Sequence, residues 1–437
     1  MVRHLFRAVL LKATSAFAGV ALSYIVARSM TELDAGTFFY SLSLLIATTT
    51  LAMLGLDASV MRELSSRKVS SLSGDASYLA TLSRSVGLAS SILITLILGT
   101  YFFLVHYLPL GKGVVNVPLL FATILLPFFS RLCVNAEILR GCGFHNAQVL
   151  YVGFAVPSIY TVFALAARIA SWDLGTNQWL IIYGSIIVMV ATASELHVKK
   201  ITVTKNTRVV SAKQLVSALG LSLPLLFVSG SQSLIQVIPT SLAGSVLGAA
   251  EAAHFHVAYR IALLISFTLA SVNVVFAPAL ARAYHGGDAR TAIDMVRISS
   301  ALGLIFGLPV FAFCVFFSGE LLSVFGAQYR VAQSLLVTLA VSQFVNASTG
   351  CVFVFLVMTR KQTSVSYINL ASVLLLSALG YLVLDVYGLL GLAWVVNCVI
   401  IFSNVAALIV IKRDSGVWIT PLFDLKRIFE MRKLLAR

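Results

Sequence analysis

The sequence predicts an all-α polytopic membrane protein with about twelve transmembrane helices in two six-helix bundles. Hydrophobic residues make up 59% of the 437 residues and charged residues 11%, whereas ordinary soluble domains have roughly 45–50% and about 25%. The mean hydropathy is +0.98. Twelve spans of about 20 residues would use about 240 positions, so little of the chain remains for a soluble domain. These values exclude a soluble enzyme, a disordered chain and a nucleic-acid-binding domain.

Twelve apolar runs follow one another along the chain, each about long enough to cross a bilayer as a helix. The connections between them are short and leave no room for a folded extramembrane domain. The predicted spans are residues 7–28, 38–58, 85–107, 117–138, 148–169, 179–197, 215–240, 258–281, 297–318, 333–357, 365–385 and 389–411.

The basic residues indicate the orientation of these spans. Of the 31 Lys and Arg residues, 24 fall on the side of the N-terminus, five on the other side, and Lys12 and Arg131 within spans. Because Lys and Arg collect on the cytoplasmic side of membrane proteins, we expect both termini in the cytoplasm. The net charge of +15 is then a consequence of topology, and we expect no nucleic-acid partner.

The two halves of the chain look alike. The stretch Ala35–Leu42 is similar to Ala252–Tyr259, at an offset of about half the chain. Six spans per half predict a parallel repeat, with both halves in the same orientation. The predicted organisation is a bundle at 1–197, a basic cytoplasmic linker at 198–213, a second bundle at 214–412 and an amphipathic cytoplasmic tail at 413–437, whose helix is expected to begin at Thr420 and lie on the inner leaflet.

Polar residues form stripes on several predicted spans. Ser229, Gln232 and Gln236 share one face of the seventh span with Ser233 and Thr240. Gln343 and Asn346 belong to a similar stripe on the tenth span, and Asn397 and Asn404 share a face of the twelfth. Pro224, Gly230 and Pro239 interrupt the seventh span, and a broken helix with a polar stripe is predicted to line a protein cavity. The alternative is that the stripes join helices through hydrogen bonds. Three stripes together favour a cavity, in which Gln232, Gln236, Gln343 and Asn346 would line the path of the substrate.

Two basic residues lie within predicted spans. Lys12 either faces a cavity or extends to the headgroups. Arg131, with Asn135 one turn later on the same face, would cost about 2.5–3.5 kcal/mol if it faced lipid. It therefore either contributes to a structural ion pair, with Glu137 as a nearby candidate, or lines a cavity. The hypothesis is that Lys12 and Arg131 attract an anionic headgroup such as a diphosphate.

The sequence predicts neither a metal site nor a cofactor. The five cysteines form no CxxC pair, no His/Cys/Asp cluster has metal-ligand spacing, and the acidic residues fall in loops or near span ends. The acidic pair in Glu32-Leu33-Asp34 allows a membrane glycosyltransferase or polymerase as an alternative, although its loop is too short to hold an acceptor. We expect a protein that is not an enzyme.

Several short motifs resemble those of the bacterial Wzx-type polysaccharide flippases of the multidrug/oligosaccharidyl-lipid/polysaccharide exporter (MOP) superfamily. The first half carries Ala27-Arg28, Ala35-Gly36-Thr37-Phe38 and Leu54-Gly55-Leu56-Asp57-Ala58 followed by Arg62-Glu63. The second half carries Leu223-Pro224, Gly248-Ala249, Ala258-Tyr259-Arg260, Ala277-Pro278, Phe325-Gly326 and Tyr387-Gly388. Two departures are Pro239, where relatives often have an acidic residue, and Ser29-Met30-Thr31 in place of a leucine-glycine pair.

The resemblance implies a MATE-like fold and a place in the bacterial inner membrane. It also implies that the protein moves undecaprenyl-diphosphate-linked oligosaccharide from the inner to the outer leaflet. The implied partners are the lipid-linked glycan, membrane lipids, and the polysaccharide polymerase and chain-length machinery. The alternative within the same fold is an ion-coupled multidrug or small-molecule antiporter, against which the lack of a carboxylate in the middle of a span counts.

Overall fold

The fold is built from long helices in both halves of the chain. The computed structural model describes residues 2–66, 75–107, 117–201, 222 and 225–422, and these contain helices and no strand. In the first half the helices are α1 Val2–Ser29, α2 Glu32–Ala52, α3 Leu56–Ser66, α4 Asp75–Tyr107, α5 Val117–Gly141, α6 Val156–Ile169 and α7 Thr176–Ile201. The π-helical segment Val149–Ala155 leads directly into α6.

The second half continues in the same way. Its helices are α8 Ser231–Leu242, α9 Ala249–His285, α10 Ala289–Phe316, α11 Ser318–Phe325, α12 Gln333–Ser348, α13 Val352–Met358 and α14 Gln362–Ser415, with a short 3-10 helix at Ala327–Ala332. Nine helices within the described ranges are long and apolar enough to cross a membrane. The predicted all-helical membrane fold class is confirmed.

The helix α14 contains two of the predicted spans. Its 54 residues would extend about 81 Å at 1.5 Å per residue, against a hydrocarbon core of about 30 Å. The backbone is not helical at Gly388, where φ is 58° and ψ is −153°. Glycine has no Cβ and adopts positive φ readily, so the chain breaks here, between the predicted spans 365–385 and 389–411.

The seventh predicted span is irregular, as its Pro and Gly residues indicated. Its described part begins with a π-helical segment at Leu226–Gly230, continues as α8 with Pro239 inside it, and ends in a second π-helical segment at Ala243–Leu247. Proline removes a backbone donor, and π-helical turns occur often at functional sites. The rest of the predicted span 215–240 lies outside the described residues, apart from Ser222 and Leu225.

The helices group into two compact units, one of Thr14–Ala253 and one that combines Met1–Ala13 with His254–Arg437. The segment 225–253 therefore belongs with the helices of the first half. The predicted division into bundles at 1–197 and 214–412 stays a prediction. Residues 202–213 of the predicted linker lie outside the described part of the chain.

Within the first of these units, two glycines allow close backbone approaches. A Cβ at Gly36 in α2 would overlap the carbonyl oxygen of Ala249, and a Cβ at Gly244 would overlap the ring of Tyr40. Small residues at helix interfaces let backbones come close and gain van der Waals contact. These contacts hold α2 against the segment that leads from α8 into α9.

The end of the chain departs from the predicted tail. The helix α14 ends at Ser415 with Gly416 in the left-handed conformation, and residues 417–422 are not helical. The backbone N–H of Leu422 donates to the carbonyl oxygen of Arg297 at 3.2 Å. Thr420 therefore begins no helix within the described residues, and 423–437 lie outside them.

Candidate functional site

Three helices of the first half bring their charged side chains together around Glu195. Its carboxylate lies on α7 and accepts hydrogen bonds from Arg131 of α5, from Nε at 2.9 Å and from Nη2 at 3.2 Å. It also pairs with Nη2 of Arg84 on α4. One carboxylate thus bridges two guanidinium groups from different helices.

Asn135 extends this cluster along α5. It lies four residues after Arg131 and therefore on the same helical face. Its Nδ2 donates to Glu195 Oε2 at 3.1 Å and to Ser194 Oγ at 3.2 Å. Lys199, one turn after Glu195, has its Nζ 4.0 Å from Glu195 Oε1. The predicted pairing of Arg131 and Asn135 on one face is present, and both residues contact the same carboxylate.

We call Arg84, Arg131, Asn135, Ser194 and Glu195 the arginine cluster. It lies well within the helices, since Arg131 is about 15 Å before the end of α5 at Gly141. The side chains of Arg84, Glu195 and Arg131 are 12%, 19% and 21% exposed. They are thus largely desolvated but open to a small ion or to water.

The cluster carries more positive than negative charge. Two guanidinium groups face one carboxylate, and Nε of Arg84 is a buried donor without a hydrogen-bond partner. Unpaired charge in a low-dielectric environment is costly. This arrangement is suited to an additional anion.

Arg84 and Glu195 are the charged members that sequence analysis missed. The third span was predicted to begin at 85 and the sixth to end at 197, so both residues were assigned to span ends. The helices begin at Asp75 and end at Ile201, which places both inside. Glu137, considered as the partner of Arg131, instead pairs with Arg140 at 3.3 Å. A carboxylate at a similar depth on the sixth span, which runs in the same direction as the fourth, was the signal available in the sequence.

Lys12 lies in α1 and is half-buried. It belongs to the unit with Met1–Ala13, whereas Arg131 belongs to the unit with Thr14–Ala253. The hypothesis that both meet one headgroup therefore stays a prediction.

The predicted polar stripe of the seventh span divides into exposed and buried residues. Gln232 and Gln236 on α8 are exposed, and so is Ser233 between them. Ser231 and Thr240 are buried. Ser229 lies in the π-helical segment, and its side chain is outside the described part of the structure. Exposed amides on a membrane helix are costly against lipid and are better placed against water or polar groups.

The amides of the tenth and twelfth spans join helices. Gln343 on α12 is buried, and its Oε1 accepts a hydrogen bond from Ser266 Oγ of α9 at 2.9 Å. Asn404 of α14 donates to Asn346 Oδ1 at 3.3 Å and accepts from Thr349 Oγ1 at 2.7 Å. Asn397 donates to the carbonyl oxygen of Thr338 at 2.8 Å. Of the two interpretations, these contacts favour interhelical hydrogen bonding.

One member of the acidic pair, Asp34, belongs to the cap that Thr31 forms at the start of α2. Thr31 Oγ1 donates to Asp34 Oδ2 at 2.6 Å, and the Asp34 N–H donates back to Thr31 Oγ1 at 3.2 Å. Thr176 Oγ1 contacts the other oxygen, Oδ1. In the described ranges no group of three or more His, Cys, Asp and Glu side chains could hold a metal ion. This geometry explains Asp34 as a structural residue.

Comparisons with known proteins point to a transporter fold. The MatE family profile matches residues 224–382, and no curated protein matches the chain. One similar structure is described as the inward-facing conformation of a multidrug resistance MATE family transporter of the MOP superfamily, with a TM-score of 0.64, 18% identity, and coverage of 98% of this chain and 99% of that chain. A MATE protein in complex with MaD5 has a TM-score of 0.63, 17% identity and 95% coverage of each chain.

A third similar structure is a MOP superfamily transporter from Pyrococcus furiosus, with a TM-score of 0.61, 20% identity and 93% coverage of each chain. Its description states that a reversed polarity of the binding pocket suggests a different function for that protein. The matches cover nearly the full length of this chain, so they include the helices that carry the arginine cluster. The chain is therefore a multi-pass membrane protein with the fold of the MATE and MOP superfamily transporters.

Proposed function

We propose that the protein is a flippase that moves undecaprenyl-diphosphate-linked oligosaccharide from the inner to the outer leaflet by alternating access. The observation that carries the proposal is the excess positive charge of the arginine cluster inside the helices. A diphosphate supplies the negative charge that the cluster lacks, and guanidinium groups bind phosphate oxygens in bidentate geometry. A cationic drug would be repelled by the same two arginines.

The exposed amides of α8 support a polar path for the glycan. Gln232 and Gln236 lie one turn apart and both are exposed. Amide groups exchange hydrogen bonds with sugar hydroxyls as they do with water. A polar glycan that cannot cross hydrocarbon unaided would move along such a surface, with membrane lipid around the rest of the helix.

Several further properties follow from this proposal. The protein transports and does not catalyse a covalent reaction, and it uses no cofactor. It lies in the bacterial inner membrane with both termini in the cytoplasm, and it works with the polymerase and chain-length machinery that consume its product. The inner end of α5 and α7, to which the arginine cluster is nearer, then faces the cytoplasmic leaflet, where the lipid-linked unit is made.

The test measures the orientation of the lipid-linked glycan in cells that lack the gene. We expect undecaprenyl-linked repeat units to accumulate on the inner leaflet and the wild-type gene to restore export. Arg131→Ala should fail to restore export at normal membrane levels. Arg140→Ala, which removes a neighbouring arginine of α5 that pairs only with Glu137 among the described contacts, should restore it.

The second candidate function is an ion-coupled multidrug antiporter. The full-length similarity to a structure described as a multidrug resistance transporter favours it. If the deletion leaves the lipid-linked pool and the surface glycan unchanged but sensitises cells to cationic dyes, the antiporter is the better assignment and the flippase proposal is wrong.

A further inference from the structure

The carboxylate of Glu195 occupies the position that an external anion would take in the arginine cluster. It accepts hydrogen bonds from Nε and Nη2 of Arg131 and from Nδ2 of Asn135, and it pairs with Nη2 of Arg84. The donors come from α4 and α5, whereas Glu195 belongs to α7. Carboxylate and phosphate oxygens accept the same parallel hydrogen bonds from a guanidinium group. The cluster is therefore a preformed anion site filled by a side chain of the same chain.

The site is also incompletely satisfied. One carboxylate faces two arginines. Nζ of Lys199 lies 4.0 Å from Glu195 Oε1, but the Lys199 side chain is 66% exposed. Nε of Arg84 is a buried donor without a partner. A diphosphate brings more negative charge and more acceptor oxygens than a carboxylate does, so it can satisfy donors that Glu195 leaves unpaired.

We propose that Glu195 is a resident counter-ion of the anion site formed by Arg84, Arg131 and Asn135, and that the diphosphate of the substrate displaces it. This inference rests on the proposed function for the identity of the anion. The substrate is then in direct contact with Arg84, Arg131 and Asn135. Glu195 competes with it for these donors and so lowers the affinity of the site for an anion.

Displacement has a mechanical consequence within this unit. The ion pairs of Glu195 are side-chain ties from α7 to α4 and α5. When an anion takes the two arginines, these ties are broken, and Glu195 also loses its hydrogen bond from Asn135. A ligand changes a conformational equilibrium through its different affinity for the two states, and here the exchange of Glu195 for the ligand supplies that difference. Anion binding and the loss of these side-chain ties are then one event.

The experiment measures binding of inorganic pyrophosphate to the purified protein in a chloride-free buffer by isothermal titration calorimetry. Glu195→Gln keeps the shape of the side chain and removes its charge, so we expect pyrophosphate to bind at least about tenfold more tightly than to wild type. Adding Arg84→Gln to Glu195→Gln should abolish most of that gain. The matched control Glu137→Gln removes a nearby carboxylate of α5 that pairs with Arg140 and should change the affinity much less.

Unchanged or weaker pyrophosphate binding by folded Glu195→Gln would overturn the inference, and so would an equal gain in Glu137→Gln. Glu195→Asp provides a second variant in case the Gln variant does not fold. Its carboxylate reaches less far, and we expect a smaller increase in affinity; no increase would equally overturn the inference.

The outcome separates this inference from the proposed function. If Glu195→Gln binds pyrophosphate more tightly as expected, but deletion of the gene leaves the lipid-linked glycan unchanged, the anion site is supported and the assignment of a lipid-linked substrate is wrong. If deletion traps lipid-linked glycan but Glu195→Gln gains no affinity, the flippase stands and Glu195 is a structural ion-pair partner.

Discussion

Gly36 of α2 lies against the carbonyl oxygen of Ala249, with no space for a side chain between them. The contact joins α2 to the start of α9 at a point where the chain has just turned at Gly248, whose φ is 109°. We expect Gly36→Ala to destabilise the protein by about 1–3 kcal/mol, because a methyl group in a closely packed contact forces the backbones apart.

Thermal unfolding in detergent, followed by intrinsic fluorescence, checks this expectation. The matched control is Gly99→Ala in α4, where an added Cβ meets nothing within 4 Å. Alanine has the higher helix propensity, so this variant should be as stable as wild type or slightly more stable. Equal effects of the two substitutions would contradict the importance of the Gly36 contact.

Asn404 should contribute to stability through its partners on α12. Its removal in Asn404→Ala leaves Thr349 Oγ1 and Asn346 Oδ1 without the contacts described above. Interhelical hydrogen bonds in membranes contribute about 0.6 kcal/mol on average and up to about 1.7, and we expect a loss in this range. A double-mutant cycle with Asn346→Ala measures the coupling directly; strictly additive effects would show that the two amides do not interact.

Gln236 and Gln343 should respond oppositely to substitution by leucine. Gln236 is exposed on α8, so Gln236→Leu should impair glycan export with little change in melting temperature. Gln343 is buried and bonded to Ser266, so Gln343→Leu should lower the melting temperature, with a stability loss of about 1–3 kcal/mol from the polar partner left unsatisfied.

Export in the deletion strain and melting of the purified variants are the two measurements. Ser185→Ala, at an exposed position of α7 where the hydroxyl bonds only within its own helix, is the control for loss of a surface polar group. If Gln236→Leu exports glycan as wild type does, the polar path along α8 is wrong.

The contribution of Asp288 to stability should be lost when its carboxylate is protonated at acidic pH. It caps α10, accepting hydrogen bonds from Thr291 Oγ1 at 2.6 Å and from the Thr291 N–H at 3.0 Å. The Thr291 hydroxyl, followed by its N–H, holds the pKa of Asp288 below its ordinary value of 3.8. A carboxylate whose folded pKa is depressed adds stability above its unfolded pKa and loses it as pH falls through the folded value.

The variant that isolates this effect is Asp288→Asn, since asparagine caps a helix but does not titrate there. Wild type should melt slightly higher than Asp288→Asn at neutral pH, and the difference should shrink as the pH falls below about 4 and vanish below the folded pKa of Asp288. Melting curves of both proteins between neutral pH and the lowest pH at which they stay folded provide the check. A difference that is constant with pH would contradict the assignment.

The sequence by itself determined the class of fold. A chain with this hydropathy must satisfy its backbone hydrogen bonds internally in lipid, and helices do so within one segment. For the same local reason the sequence predicted separate spans on either side of Gly388 and an interrupted seventh span, because Gly and Pro act on the backbone where they stand. The pairing of Arg131 with Asn135 on one face also follows from helical periodicity alone.

Only the tertiary structure decided which polar groups meet. Arg131 has a carboxylate six residues away in Glu137, yet it pairs with Glu195, 64 residues away along the chain. Likewise the stripes on α8 and α12 look alike in sequence, but packing against α9 and α14 buries Gln343 and leaves Gln236 exposed. The physical reason is that helix periodicity tells which residues share a face, whereas the neighbour of that face depends on how distant helices pack and how far each one extends.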